Sequence, residues 1–187
     1  MNLGNKETQM SIRIERSELV HTGAIFSLYQ EVVRHSGGII RVEEEVTLEY
    51  VRSFLQKSIQ SGIAYHIADS DQADSIIAEI HAYKPGISAF RHILADLTIV
   101  VHPNFQGRGL GKQLFVAFLE EVRVKFPEVL RVELFVREQN TSAIRFYQKM
   151  GFIEEGRLKD KILNLDGSLE TPIEMTWFNP NFQQRSG

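Results

Sequence analysis

From Ser75 to His102 apolar and polar side chains alternate with a period of two, the repeat of strands whose two faces meet different surroundings. In the first run Ile76, Ala78, Ile80 and Ala82 fall on one face, and Glu79, His81 and Tyr83 on the other. In the second, after the Lys84-Pro85-Gly86 loop, Ile93, Ala95, Leu97, Ile99 and Val101 oppose Asp96 and Thr98. Antiparallel pairing would gather Glu79, His81, Asp96 and Thr98 on one surface, which a solvated sheet face explains as well as a site does. A strand over Ile63–Ala68 precedes them and joins Ser75–Tyr83 through a polar turn, residues 69–74, in the manner of a hairpin.

Met10, Ile12 and Ile14 alternate too and predict a first strand, after which Ser17 offers an N-cap to a helix running to Arg34 and broken by Gly37-Gly38. A second helix starts at the cap-type Thr47, carries Leu48, Val51, Phe54, Leu55 and Ile59, and stops at Gly62. Farther on, Leu110, Leu114, Phe118 and Val122 recur every fourth residue, which predicts a helix that Pro127 ends. Leu130–Arg137 alternates as another strand, so residues 92–137 read as a βαβ unit with parallel pairing and a right-handed crossover. Asn140 or Thr141 caps a short helix carrying Ala143, Ile144, Phe146, Tyr147 and Met150, closed by Gly151. Two final strands, residues 159–165 and 171–178, flank an Asp166-Gly167 turn. The last, ending in Met175, Trp177 and Phe178, is the apolar surface through which a second copy would pair, leaving a homodimer open.

Composition narrows the partners. The 187 residues suit one domain, taken as 10–180 with tails at 1–9 and 181–187. With 21 Lys+Arg against 24 Asp+Glu the net charge is -3, so no overall positive field collects nucleic acid or an anionic membrane, and any anion site is local. The absence of Cys excludes disulfides, Cys-ligated metals and a Cys nucleophile, and no metal is expected. Without an apolar leader or an 18-residue apolar run, a soluble cytoplasmic protein is expected.

The sharpest local feature is Gln106-Gly107-Arg108-Gly109-Leu110-Gly111-Lys112, between a strand and the first turn of an amphipathic helix. Glycines let the backbone approach a ligand, and the unpaired N–H groups at a helix start point outward with a positive dipole end, a nest suited to phosphate oxygens. Arg108 and Lys112 add positive charge there. A tight turn and close helix packing are the plainer explanation of the glycines, and the flanking strand and helix are the context that raises the phosphate reading. A Walker loop needs Ser or Thr after its Lys, and here Gln113 follows Lys112. A dinucleotide fingerprint needs Gly-x-Gly-x-x-Gly and an acidic residue ending the next strand, where this chain has Arg137. An NADP-type site tolerates that Arg, so a nicotinamide oxidoreductase stays as a distant alternative.

Val100-Val101-His102-Pro103 with residues 106–111, then Asn140, Ala143-Ile144, Phe146-Tyr147 and Gly151-Phe152, resembles the GNAT superfamily of acyl-CoA-dependent N-acyltransferases. The motifs span Asp96 to Phe152, and the element order agrees from residue 10 to 178. The resemblance implies an α/β (α+β mixed) fold, a twisted, mostly antiparallel sheet of about seven strands with about four helices on its two faces. It implies acetyl-CoA as cosubstrate and transfer of its acetyl group to a primary amine by direct attack. The pyrophosphate would lie on the main chain of Gln106, Gly107, Arg108, Gly109, Leu110, Gly111 and Lys112. Val100 and Val101 would meet the pantetheine arm, an N–H near Val100 would hold the oxyanion, and Asn140, Ala143 and Tyr147 would line the same site.

Tyr147 would protonate the departing sulfur, since a phenol of ordinary pKa about 10 keeps its proton at neutral pH. An alkyl ammonium of pKa about 10.4 must lose a proton before it attacks; Asp96 and Glu79, with His81, are the candidates to receive it. His102, Glu154 and Glu155 read as structural or surface groups. The acceptor, a small molecule or peptide amine, stays open, and an acyl-CoA-binding module without catalysis is the main alternative.

Overall fold

The computed structural model describes residues 13–36, 39–69 and 75–184. Strands and helices follow as β1 (Ile14–Arg16), α1 (Thr22–Ser36), α2 (Leu48–Ser61), β2 (Gly62–Ala68), β3 (Ile76–Tyr83), β4 (Ile93–Val101), α3 (Leu110–Lys125), β5 (Arg131–Val136), α4 (Thr141–Lys149), β6 (Ile153–Arg157), β7 (Ile162–Leu163), β8 (Leu169–Glu170) and β9 (Ile173–Phe178). Seven strands form one sheet in the order β1-β2-β3-β4-β5-β9-β6, and β7 pairs with β8 apart from it. Every pairing is antiparallel except β4 with β5, the parallel pair that the β4-α3-β5 crossover requires.

The sheet carries a core on each face. On one, Leu114, Phe115, Phe118 and Val122 of α3 pack with Ile80, Leu94, Val132 and Met175, and α4 adds Phe146 and Tyr147. On the other, Ile25, Tyr29 and Val32 of α1 and Val51, Phe54 and Leu55 of α2 pack over Ala64 and Val100. Helix α2 starts as its sequence signals, with the Thr47 hydroxyl accepting from the Tyr50 amide. Helix α4 does the same at Asn140, whose side chain accepts from the Ala143 amide, and Gly151 leaves it at φ 91°.

Several expectations are corrected. Ser17 caps no helix: its hydroxyl meets His66 Nδ1 at 3.1 Å, and a 3-10 turn intervenes before α1 begins at Thr22. The proposed Met10 and Ile12 positions, the Gly37-Gly38 break and most of the 69–74 turn lie outside the described residues. Glu154 and Glu155 are exposed as expected, but the strand they lie on, β6 at Ile153–Arg157, is not among those the sequence predicts; its one apolar side chain gives no alternation to detect, and the sheet accepts it as an edge. The final hairpin divides: β7 and β8 form a separate ribbon, while β9 lies between β5 and β6 and has no free side for a second copy. The expected tail at 181–187 is partly anchored, since the Gln183 amide donates to the Pro127 carbonyl at 2.7 Å.

Strand β3 is buried on both faces, with Glu79 at 0% and His81 at 2% exposure, because α1 and α2 cover the face that its polar residues occupy. Ile76 joins the α1–α2 core rather than that of Ala78, as the register slips between Ile67 and Ala68 on β2. On β4 the expected alternation breaks at Asp96, which has φ 54° where the pairing with β3 shifts. Asp96 and Leu97 together oppose Ala82, a β-bulge, so Leu94 and Leu97 share the α3 face in place of an unbroken odd-numbered row.

Candidate active site

The bulge decides where the site opens. Paired Cα positions of β4 and β5 end at Leu94 and Val132, although both strands run on, to Val101 and Val136. Beyond that point they part around a cleft of about 240 Å³. Its walls come from β4 (Asp96 to Ile99), β5 (Phe135, Val136), α4 (Ala143, Tyr147), α2 (Tyr50, Phe54), β3 (His81, Tyr83) and the segment 39–41 between α1 and α2.

Backbone alternation fixes which groups of β4 face this opening. The His102 amide donates to the Ile77 carbonyl at 2.8 Å, and antiparallel pairs exchange both hydrogen bonds at every second residue, so Val100 and Thr98 turn theirs to Glu79 and His81. Val100 therefore has no free amide for an oxyanion, and its side chain lies in the α1–α2 core. The expectation placed on it passes to Ile99 and Val101, whose groups point away from β3. The Val101 carbonyl already accepts from Gln106 Nε2 at 3.2 Å.

At the far end of β4 a 3-10 turn at Pro103–Phe105, capped by His102 Nδ1 accepting from the Asn104 amide, leads into the glycine loop. Gly107 and Gly109 take φ 75° and 78°, and a Cβ on either would meet nothing within 4 Å, so both are required by backbone conformation and leave open space above it. Gly111 differs: a Cβ there would lie 3.3 Å from Val101 Cγ2, so it lets α3 sit close on β4. Gln113 is the first amide of the turn to close a bond, onto the Gly109 carbonyl at 3.1 Å; among the described residues those from Gly107 to Lys112 find no carbonyl. Lys112 is exposed, whereas the Arg108 guanidinium folds back to donate to the Asn104 carbonyl at 3.0 Å and lies over Phe105.

This nest fits a diphosphate. The model of the acetyltransferase (GNAT) domain matches residues 61–154, half of the chain, and includes the loop, the cleft strands and α4. The chain belongs to the GNAT acetyltransferase family. Its fold is that of yncA of Salmonella typhimurium, described as an acetyltransferase and solved with its cofactor acetyl-CoA, at a TM-score of 0.78, 17% identity and coverage of 94% of this chain and 98% of that one. The L-amino acid N-acyltransferase MnaT of Escherichia coli is 23% identical over 77% of this chain and 80% of its own length. The uncharacterized N-acetyltransferase ycf52 of Gracilaria tenuistipitata var. liui is 35% identical over 57 residues, and the match spans only 29% of its length.

Within this GNAT domain Tyr147 is held by Phe115, Phe146 and Phe152, lines the cleft, and is pushed up to about 12 by burial; among the described residues its hydroxyl has no hydrogen-bond partner. Asp96 stands exposed on the bulge beside the Tyr83 hydroxyl, which burial and then the carboxylate hold well above the usual phenol range. Glu79 does not reach the cleft. It accepts from the Tyr29 hydroxyl at 2.8 Å and lies 3.1 Å from His81 Nδ1, and His81, stacked on Phe54 at 3.8 Å, is the member of that group on the wall. Asp96 and Glu79 are thus brought to one region but to different depths. In the sequence Arg41 is one of several mixed charges between the first two helices and Tyr50 a helical aromatic, and neither stands out; the one local signal is an arginine three residues past the Gly37-Gly38 pair. No metal cluster is found among the described residues, and none of their helices is long and apolar enough to cross a membrane.

Proposed function

We propose that the protein moves the acetyl group of acetyl-CoA onto a primary amine, with both substrates meeting between β4 and β5. The observation that carries this reading is the row of amides from Gly107 to Lys112 at the start of α3, without carbonyl partners among the described residues and beside the open space over Gly107 and Gly109. These amides and Lys112 hold the diphosphate of coenzyme A, while Ile99 and Val101 offer backbone groups to its arm. Asn140 spends its carbonyl oxygen on the Ala143 amide and keeps its side-chain NH₂ for the same arm. Acetyl-CoA supplies an acyl carbon with a thiolate leaving group.

The chain's own groups do the rest. Ile99 presents its amide where charge develops on the carbonyl oxygen. Tyr147 retains its proton across neutral pH, because its raised pKa disfavours the phenolate, and passes it to the departing sulfur. Asp96 receives the proton of the incoming ammonium, directly or through water, and Glu79 acts only through His81. The acetyltransferase domain is taken as residues 10–180, and a cytoplasmic setting agrees with a cysteine-free chain.

Thermal shift with acetyl-CoA, coenzyme A and NADPH, followed by thiol release over an amine panel, tests the reading. Stabilisation by acetyl-CoA together with amine-dependent thiol release is expected. Stabilisation without release for any amine would favour the non-catalytic module, and a response to NADPH alone would favour the oxidoreductase.

A further inference from the structure

The cleft wall carries three formal charges besides His81, and they are not equivalent. Arg137 is already engaged: its guanidinium donates to Glu170 and, at 3.0 Å, to Asn164. Arg41 has no carboxylate partner among the described residues; its guanidinium lies 4.0 Å over the Tyr50 ring, a contact that orients the cation without neutralising it. Among the same residues Asp96 has no cationic partner either, and the bulge turns it outward beside Tyr83. One free cation and one free carboxylate therefore face the same small opening, each oriented by a tyrosine.

Their place along the cleft separates them from the phosphate loop. Five residue steps along β4 separate Asp96 from Val101, about 16 Å at roughly 3.3 Å each, so this carboxylate lies well back along the strand from the anion nest. The same wall carries apolar side chains, with Ile40 44% and Phe135 41% exposed, in a cleft of about 240 Å³. Such a wall complements a small molecule with a cationic amine, an adjacent anion and an uncharged apolar body.

We propose that the acceptor is a neutral apolar α-amino acid, its carboxylate held by Arg41 and its amino group by Asp96. This rests on the N-acetyltransferase reading and assigns it a substrate class. A peptide N-terminus has spent the neighbouring carboxylate in an amide bond and leaves Arg41 without a counter-charge, and a simple alkyl amine does the same. Arginine suits the task because its planar fork meets both carboxylate oxygens.

The test measures binding and turnover separately. Calorimetry on the protein loaded with coenzyme A, using L-leucine, L-phenylalanine, their carboxamides and a leucyl dipeptide amide, reads recognition; thiol release from acetyl-CoA with the same compounds reads transfer. The free amino acids are expected to bind about tenfold or more tightly than the amides. Arg41→Gln is expected to weaken amino-acid binding about ten- to a hundredfold and to erase the preference, with partial recovery in Arg41→Lys. Lys161, whose ammonium lies 4.1 Å over the Phe135 ring without lining the cleft, is the control, and Lys161→Gln is expected to keep the preference. An unchanged thermal shift with acetyl-CoA shows that Arg41→Gln is folded. Equal binding of acid and amide by the wild type, preference for the dipeptide amide, or an Arg41→Gln protein that still discriminates would overturn the assignment. A wild-type protein that acetyl-CoA fails to stabilise counts instead against the acetyltransferase reading, while the calorimetric comparison of acid with amide still decides what Arg41 and Asp96 bind.

Discussion

At the α3 end of the cleft the groups facing a ligand are main-chain amides, set by Gly107 and Gly109; at the α2 end they are side chains, Arg41, Tyr50, Tyr83 and Asp96, drawn from separate segments. The first arrangement depends on backbone conformation and tolerates few residue types at fixed spacing. The second depends on long-range packing, and many residue combinations would build a different charge pattern on the same frame. A fold of this kind keeps one substrate constant and leaves the other free to change.

The contrast can be broken, beginning with the group where the two ends meet. Tyr147→Phe is expected to lower kcat about 10²- to 10⁴-fold with KM for acetyl-CoA little changed, because the hydroxyl has no structural partner to lose among the described residues. As its pKa is raised to about 12, the donor stays protonated as pH rises through neutrality, so a pH–rate profile in which this group limits activity near pH 8 would sink the assignment. Next, Glu79→Leu leaves the Tyr29 hydroxyl and His81 Nδ1 without their acceptor and is expected to cost about 2–4 kcal/mol in urea unfolding, with Glu79→Gln milder. A stable Leu variant would mean that the buried polar cluster does not support the acceptor wall.

Glycine substitutions probe the other end. Gly109→Val imposes φ 78° on a β-branched residue and is expected to cost about 1–2 kcal/mol and to weaken acetyl-CoA about tenfold by calorimetry. Gly111→Ala keeps helical geometry and asks a valine methyl to yield slightly, so its cost is expected under about 1 kcal/mol. Equal effects at the two positions would show that close packing, not amide presentation, explains the loop.

A further effect, on stability alone, concerns His66, lowered to about 4, first by burial and then by His21. Its folded pKa lies below the unfolded value of about 6.5, so the unfolded state binds the extra proton and stability falls as pH drops from 6.5 toward 4. After discounting for solvent screening the loss is on the order of 1–2 kcal/mol, and His66→Gln should flatten that slope in thermal melts.

What was legible in the chain follows the same division. The β4-α3-β5 crossover, the Thr47 and Asn140 caps and the glycine loop are written in neighbouring residues, and the structure has them where spacing predicts. Glu79 and His81 share a sequence pattern with a water-covered sheet face, because the helices that bury them belong to an earlier, separate stretch of chain and nothing local announces them. The bulge at Asp96 escapes detection since an apolar run interrupted by one Asp looks like simple alternation. Strand β9 looks like an apolar edge because its two partners, β5 and β6, are chosen by topology rather than by adjacency.

The early end of pairing between β4 and β5 leaves the amides of Ile99 and Val101 without a neighbouring strand to protect them. Deuterium should enter at these two positions within the resting protein faster than at Val100, and a bound thioester carrier lying along that seam would slow it. Isotope uptake at adjacent residues of one strand thus becomes a gauge of cosubstrate occupancy, readable before any acceptor is known.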